Sequence, residues 1–200
     1  MNKAVFLDRD GVINRKASSE DEYVTRWEEM AILPGVAEAI AQLNRVGFQV
    51  IVVTNQRGIS KGLITTAELE SIHHRMCEHL ACAGARIHAV YYCPHGLEPP
   101  CTCRKPQPGM LLAAARGHDI DLAASWMIGD SDKDVEAGKR VGCRTARLIS
   151  DGKPADSGAD VLASSLLAAV PKILELQVGT HATTSFELSF SSGGPHNRGN

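Results

Sequence analysis

The chain has 200 residues, 44% of them hydrophobic, and a formal net charge of −2. That length suits one domain with a full-sized core, and so small a charge leaves no basic surface for nucleic acid or anionic lipid. No apolar run approaches the roughly 20 residues of a membrane helix, and the N-terminus lacks the pattern of a secretory signal, so a cytoplasmic protein is expected.

Taken in order, the first predicted strand spans 4–8. Residues 36–46 place apolar side chains at helical spacing after Pro34-Gly35 and stop at Gly47. A strand over 48–54 follows, then a helix capped by Thr65 or Thr66 that runs to about Ala83 and ends at Gly84. A strand over 88–92 precedes a helix opened by Pro108-Gly109 and running through Ala115. Strands over 126–129 and 145–149 flank a helix from about Asp132 to near Gly142. The strands are nearly continuous apolar runs, a pattern that fits a parallel sheet covered on both faces. The predicted fold class is therefore a doubly wound α/β sheet with right-handed crossovers. From about Val178 the pattern fails, so the domain is placed at 1–177 and 178–200 is read as a disordered tail. Alternation of Phe186, Leu188 and Phe190 leaves a short added strand open.

Six cysteines in such a chain do not suggest a disulfide framework. Cys77, Cys82 and Cys143 are scattered, whereas Cys93, His95, Cys101 and Cys103 lie within eleven residues. Three thiols and an imidazole suit a closed tetrahedral Zn²⁺ site, and the intervening prolines exclude a helix. The alternative is a reduced, thiol-rich loop. Zinc in loop 93–103 would shape the loop rather than catalyse, and would fix Arg104 and Lys105 behind the last ligand.

Four segments carry groups suited to phosphate chemistry. Asp8-Arg9-Asp10-Gly11 supplies two carboxylates one residue apart, Thr54 a hydroxyl, Arg104-Lys105-Pro106 a cation, and Asp130 to Asp134 a late acidic group. Asp8, Thr54 and Asp130 fall at predicted strand ends, where open parallel sheets bind ligands. An aspartate can attack phosphorus covalently, and Mg²⁺ takes one or two carboxylates together with phosphate oxygens and waters. Singly, an Asp-x-Asp reads equally as a turn or helix cap, and a Lys before Pro as a solvated loop residue.

The ordered set resembles the haloacid-dehalogenase superfamily of phosphatases. That resemblance implies Asp8 as nucleophile, Asp10 as general acid and then base, Thr54 as a hydroxyl donor to a phosphoryl oxygen, and Lys105 as the cation offsetting the transferring group. It implies Mg²⁺ on Asp8, Asp130 and the Asp10 carbonyl, with Asp134 either orienting waters or Lys105 from behind or capping the next helix. About 40 residues between the first two segments and about 50 before Lys105 leave no room for a large cap domain, so the zinc loop and residues 15–24 should form the rim.

The knuckle with Asp8-Arg9-Asp10-Gly11 resembles one branch, shared by heptose bisphosphate and histidinol-phosphate phosphatases. Thr54-Asn55-Gln56-Arg57-Gly58-Ile59 and Lys105-Pro106-Gln107-Pro108-Gly109-Met110 resemble the heptose group, although Ser131 stands where some of that group have Lys. The implied reaction is removal of the 7-phosphate of D-glycero-D-manno-heptose 1,7-bisphosphate, serving nucleotide-activated heptose and lipopolysaccharide core synthesis. Arg104 would hold the distal phosphate, with Asn55, Gln56 and Arg57 at the rim. The expected partner is a small phosphorylated sugar, with no nucleic acid or membrane, and the expected state a monomer. The alternatives are a histidinol-phosphate phosphatase and, of another class, a catalytically inactive zinc-stabilised binding module.

Overall fold

Apolar runs without polar alternation are satisfied only where both faces of a sheet are covered. The computed structural model, which describes residues 1–16, 23–149 and 158–184, places these runs in that setting. Its elements in chain order are β1 (Ala4–Leu7), α1 (Val36–Arg45), β2 (Gln49–Asn55), α2 (Thr66–Cys82), β3 (Ala89–Cys93), α3 (Gly109–His118), β4 (Trp126–Gly129), α4 (Asp132–Lys139), β5 (Arg144–Leu148), β6 (Val161–Ala163) and α5 (Leu166–Thr184). One parallel sheet runs in the order β3-β2-β1-β4-β5-β6. β1 and β4 are buried along their whole length, and β3, at the edge, is half-buried.

Alternate strand residues serve two cores. Val5, Leu7, Val50, Val52, Trp126 and Ile128 pack with the apolar faces of α1, α2 and α5. Ala4, Phe6, Ile51, Val53 and Met127 pack with Met110, Leu111 and Ala114 of α3 and with Ala137 of α4. Thr65 is the residue that caps α2: its hydroxyl accepts from Glu68 N at 3.2 Å while the Glu68 carboxylate accepts from Thr65 N at 2.8 Å.

The strand order reverses between β1 and β4, the switch point where such sheets open a crevice for ligands. Asp8 and Asp130 follow these two neighbouring strands directly. A turn after β1, in which Arg9 O accepts from the N–H groups of Val12, Ile13 and Asn14, brings Asp10 back to the same place. Among the described residues no large cap domain interrupts the chain, as the spacing predicted. Of the expected rim segment 15–24, residues 17–22 lie outside the described residues. No described helix is long and apolar enough to cross a membrane.

Of the elements named above, β6 and α5 were not anticipated. β6 is only three residues long, too short for a periodic signal. α5 carries Pro171, which reads as a helix breaker in sequence; here Ser165 Oγ accepts from Ala168 N at 3.1 Å and starts the helix ahead of it. α5 also continues to Thr184, past the expected end of order at 177. The rest of the tail, with the possible strand at Phe186–Phe190, lies outside the described residues.

Leu43 on α1 is fully buried, whereas Val46 at the end of that helix is 41% exposed. Leu43→Ala should destabilise the fold by about 2–5 kcal/mol, and Val46→Ala by less than about 0.5 kcal/mol. Urea unfolding of both variants checks the contrast.

Candidate active site

At the carboxyl end of the sheet a single ammonium organises the site. Lys105 is 2% exposed, and its Nζ donates to Val53 O at 2.8 Å while pairing with Asp8 Oδ1 at 2.9 Å and Asp134 Oδ1 at 2.6 Å. One carbonyl and two carboxylates thus surround the ammonium. Burial works against the charge, but Asp134 and Asp8 outweigh it and raise the Lys105 pKa above its ordinary value. Asn55 grips the same residue by its backbone: its Nδ2 donates to Lys105 O at 3.1 Å and its Oδ1 accepts from Lys105 N at 3.0 Å.

Asp134 does both things the sequence left open. Oδ1 holds Lys105, and Oδ2 accepts from Ser131 N at 3.1 Å and from Ser131 Oγ at 2.6 Å, capping α4. Close packing enforces this: a Cβ on Gly129 would lie 2.1 Å from Asp134 Cβ. Asp8 is pushed up to about 7 by burial, with help from Asp134 and Asp10 and opposition from Lys105. Its contacts with Arg9 N at 2.7 Å and with Lys105 both fall on Oδ1.

Asp10 sits in a different environment. Arg9 Nη2 straddles its two oxygens at 3.0 Å each, Asn14 Nδ2 donates to Oδ1 at 2.9 Å, and Gln56 Nε2 donates to Oδ2 at 3.0 Å. Burial would raise its pKa, but the Arg9 charge and these donors outweigh it and hold the carboxyl below its ordinary value. Gln56 Nε2 also donates to Thr54 Oγ1 at 2.9 Å, which leaves the Thr54 hydroxyl hydrogen free to point at a ligand.

The residues fit a divalent cation. Carboxylate oxygens of Asp8, Asp130 and Asp134 lie within 4.8 Å of one another. Asp130 Oδ1 is buried with no hydrogen-bond partner, an orphan acceptor that a cation would satisfy. Because both oxygens of Asp134 are already engaged, Asp8 and Asp130 are the residues that could ligate. Gly11, at φ +89°, makes room: a Cβ there would lie 2.4 Å from Asp130 Oδ2.

β3 pairs with β2 so that Cys93 lies opposite Asn55, which sets the second cluster beside the first. Cys93 Sγ lies 3.0 Å from Cys103 Sγ and 3.6 Å from Cys101 Sγ, and His95 Nδ1 lies 3.2 Å from Cys103 Sγ and 3.6 Å from Cys93 Sγ. All four ligand atoms lie within 4.8 Å of one another, the spacing of a tetrahedral metal with bonds of about 2.0–2.3 Å. Arg104 is tied to this loop through Nη1, which donates to His95 O at 3.3 Å. Gly109, the first residue of α3, abuts the knuckle so closely that a Cβ would meet Thr102 O at 2.4 Å.

The structure thus brings together Asp8, Asp10, Thr54, Lys105, Asp130 and Asp134, and separately Cys93, His95, Cys101 and Cys103. It departs from the sequence reading at the rim. Gln56 is buried and turned inward onto Asp10 and Thr54, and Asn55 spends its amide on the Lys105 backbone, because the turn after β2 folds both side chains under the site. Arg57 does lie further out, its Nε donating to Tyr23 Oη at 3.2 Å. Sequence reasoning missed Arg9, His73, Asn14 and Lys16. Arg9 is 1% exposed and carries His73 Nε2 at 3.2 Å on Nη1. An Arg between two site carboxylates was a readable signal. His73, on α2 and 64 residues away, gave none.

Fold and site together define a haloacid-dehalogenase-like phosphohydrolase. Residues 102–167 match the HAD-hydrolase-like family. The chain is 44% identical over 151 residues to a D-glycero-beta-D-manno-heptose-1,7-bisphosphate 7-phosphatase of Pseudomonas putida, covering 76% of this chain and 84% of that protein. It is 38% identical over 185 residues to the enzyme of that name from Escherichia coli K12, covering 87% and 94%. A crystal structure of D,D-heptose 1,7-bisphosphate phosphatase from B. bronchiseptica, complexed with magnesium and phosphate, superposes with a TM-score of 0.78 at 35% identity over 87% of this chain and 99% of that one. The chain belongs to the family of the D-glycero-beta-D-manno-heptose-1,7-bisphosphate 7-phosphatases.

Burial, then the Arg9 charge, push His73 down to about 3, so it stays neutral and can accept from Arg9. The folded value lies below the unfolded one near 6.5, so the unfolded chain takes up a proton first as pH falls. Stability should therefore be lost from about pH 6.5 down towards pH 3, by about 2 kcal/mol between pH 7 and 5. His73→Gln, which keeps an acceptor for Arg9 but does not titrate, should flatten that dependence when both proteins are unfolded in urea across the range.

Proposed function

We propose that this protein hydrolyses the 7-phosphate of D-glycero-D-manno-heptose 1,7-bisphosphate through an aspartyl-phosphate. The observation that carries the reading is the Asp8–Lys105–Asp134 arrangement beside a separately held Asp10, in a chain so similar to enzymes named for that reaction. Asp8 Oδ2, the oxygen clear of Lys105, attacks phosphorus, and the sugar oxygen leaves with a proton from Asp10. Water then attacks the aspartyl-phosphate, with Asp10 as base, releasing phosphate and restoring Asp8. Asp10, held ionised by Arg9 and its amide donors, is free to take the proton in the base half. In the acid half, an incoming phosphate dianion disfavours a second negative charge and raises its proton affinity. Lys105 and the Thr54 hydroxyl face charge building on the transferring oxygens. Mg²⁺, held by Asp8, Asp130 and the Asp10 carbonyl, would offset the crowded carboxylates and draw charge from the phosphoryl group.

Cys93, His95, Cys101 and Cys103 hold a structural Zn²⁺ in this reading, and Arg104, anchored to that loop, takes the distal phosphate. Arg57 lines the outer edge. The expected setting is a cytoplasmic monomer in nucleotide-activated heptose synthesis.

Asp8→Asn should keep the fold and lose more than about a hundredfold in kcat, beyond the loss of an auxiliary group. Steady-state kinetics should give the heptose bisphosphate a much higher kcat/KM than histidinol phosphate; the reverse order would move the substrate to the histidinol branch. No turnover of either, or of an aryl phosphate with Mg²⁺, would leave the inactive binding module.

Metal analysis should find about one Zn²⁺ per chain, surviving a weak chelator that stops turnover and is reversed by Mg²⁺. Cys101→Ser should lose the zinc and lower kcat/KM for the bisphosphate, because the loop no longer holds Arg104 and Lys105 in place. Full activity in a zinc-free protein would limit the knuckle to stability.

A further inference from the structure

Asp130 is divided between two environments. Its Oδ1 is buried and unpartnered, whereas its Oδ2 accepts from Lys16 Nζ at 2.7 Å. Lys16 arrives from the irregular segment after β1. It follows a short pairing in which Arg15 N donates to Ala31 O at 2.8 Å and Leu33 N donates to Ile13 O at 2.9 Å, so its backbone is held against the site. The Lys16 side chain is 60% exposed and Asp130 only 16%, which puts the ammonium at the mouth and the carboxylate behind it. The residue that follows Asp130, Ser131, is unable to substitute, since its hydroxyl is spent on Asp134. Lys105 and Arg9, the cations beside Asp8 and Asp10, are buried with their carboxylates and are not poised to change partner.

We propose that Lys16 is an exchangeable counterion: it neutralises Asp130 in the metal-free site, opposes Mg²⁺ there, and turns to the substrate's phosphate once Mg²⁺ has taken Asp130. The proposal rests on the phosphatase reading and adds a coupling between metal and phosphate. A cation beside a metal carboxylate repels an incoming divalent ion. The same cation, released and largely exposed, has three donors for phosphate oxygens. Lys16 therefore weakens Mg²⁺ binding to the free enzyme and strengthens phosphate binding to the Mg²⁺ enzyme, so each ligand favours the other.

Calorimetric titration of the full chain tests this without turnover, with Mg²⁺ alone and then with inorganic phosphate at saturating Mg²⁺. Lys16→Gln should bind Mg²⁺ about 2- to 5-fold more tightly and phosphate about 3- to 10-fold more weakly, as for one exposed ion pair and one exposed charge-assisted contact. Lys16→Arg should stay close to wild type on both counts. Lys133→Gln, an exposed change of equal charge, should move neither constant and so separates a local from a net-charge effect. In kinetics, Lys16→Gln should raise KM more than it lowers kcat. If Lys16→Gln binds Mg²⁺ no more tightly, or phosphate no more weakly, while the wild type binds both, the exchange is refuted and the phosphatase reading stands. A wild type that binds no Mg²⁺ overturns both.

Discussion

A buried ammonium cannot stand without partners, and the site is built around that constraint. Lys105 reaches the crevice from a loop after β3, and its charge is tolerated because Asp8, Asp134 and the Val53 carbonyl meet it there. Removing either carboxylate would leave part of the charge uncompensated, although the other carboxylate and the Val53 carbonyl would still meet it. The neighbouring features serve the same contact. Gly129 lets Asp134 approach, Ser131 holds its other oxygen, and Asn55 fixes the Lys105 backbone.

Asp8 and Asp10 differ because their neighbours differ. Asp8 shares its cation with Asp134 and lies deep enough for burial to dominate. Asp10 has Arg9 across both oxygens and amide donors on each, so it is held ionised. Two carboxylates pushed apart in proton affinity can divide a reaction into nucleophile and proton carrier. Arg9 in turn depends on a neutral His73 from α2, so a helix far along the chain takes part in setting the state of Asp10.

The cysteine knuckle replaces secondary structure where prolines forbid it. It begins where β3 ends opposite β2 and finishes one residue before Arg104, whose Nη1 donates back to His95 O. Among the described residues no large cap domain interrupts the chain.

The sequence by itself determined the strand–helix alternation, the parallel sheet, the two acidic strand ends and the soft-ligand cluster, because each is written in local spacing: apolar runs, caps, and ligands within eleven residues. It also determined that Asp8, Thr54 and Asp130 would converge, since strand ends in a doubly wound sheet share one edge. Only the tertiary structure decided which side chains serve the substrate and which serve one another. Asn55 and Gln56 read as rim residues but turn inward to hold Lys105, Asp10 and Thr54. Lys105 reads as the cation of the site, but its burial between Asp8 and Asp134 is not legible in the sequence. His73 and Lys16 enter the site from elements whose own patterns say nothing of it. Hydrogen bonds between residues 46 to 114 positions apart depend on orientation in space, and orientation leaves no trace in local periodicity.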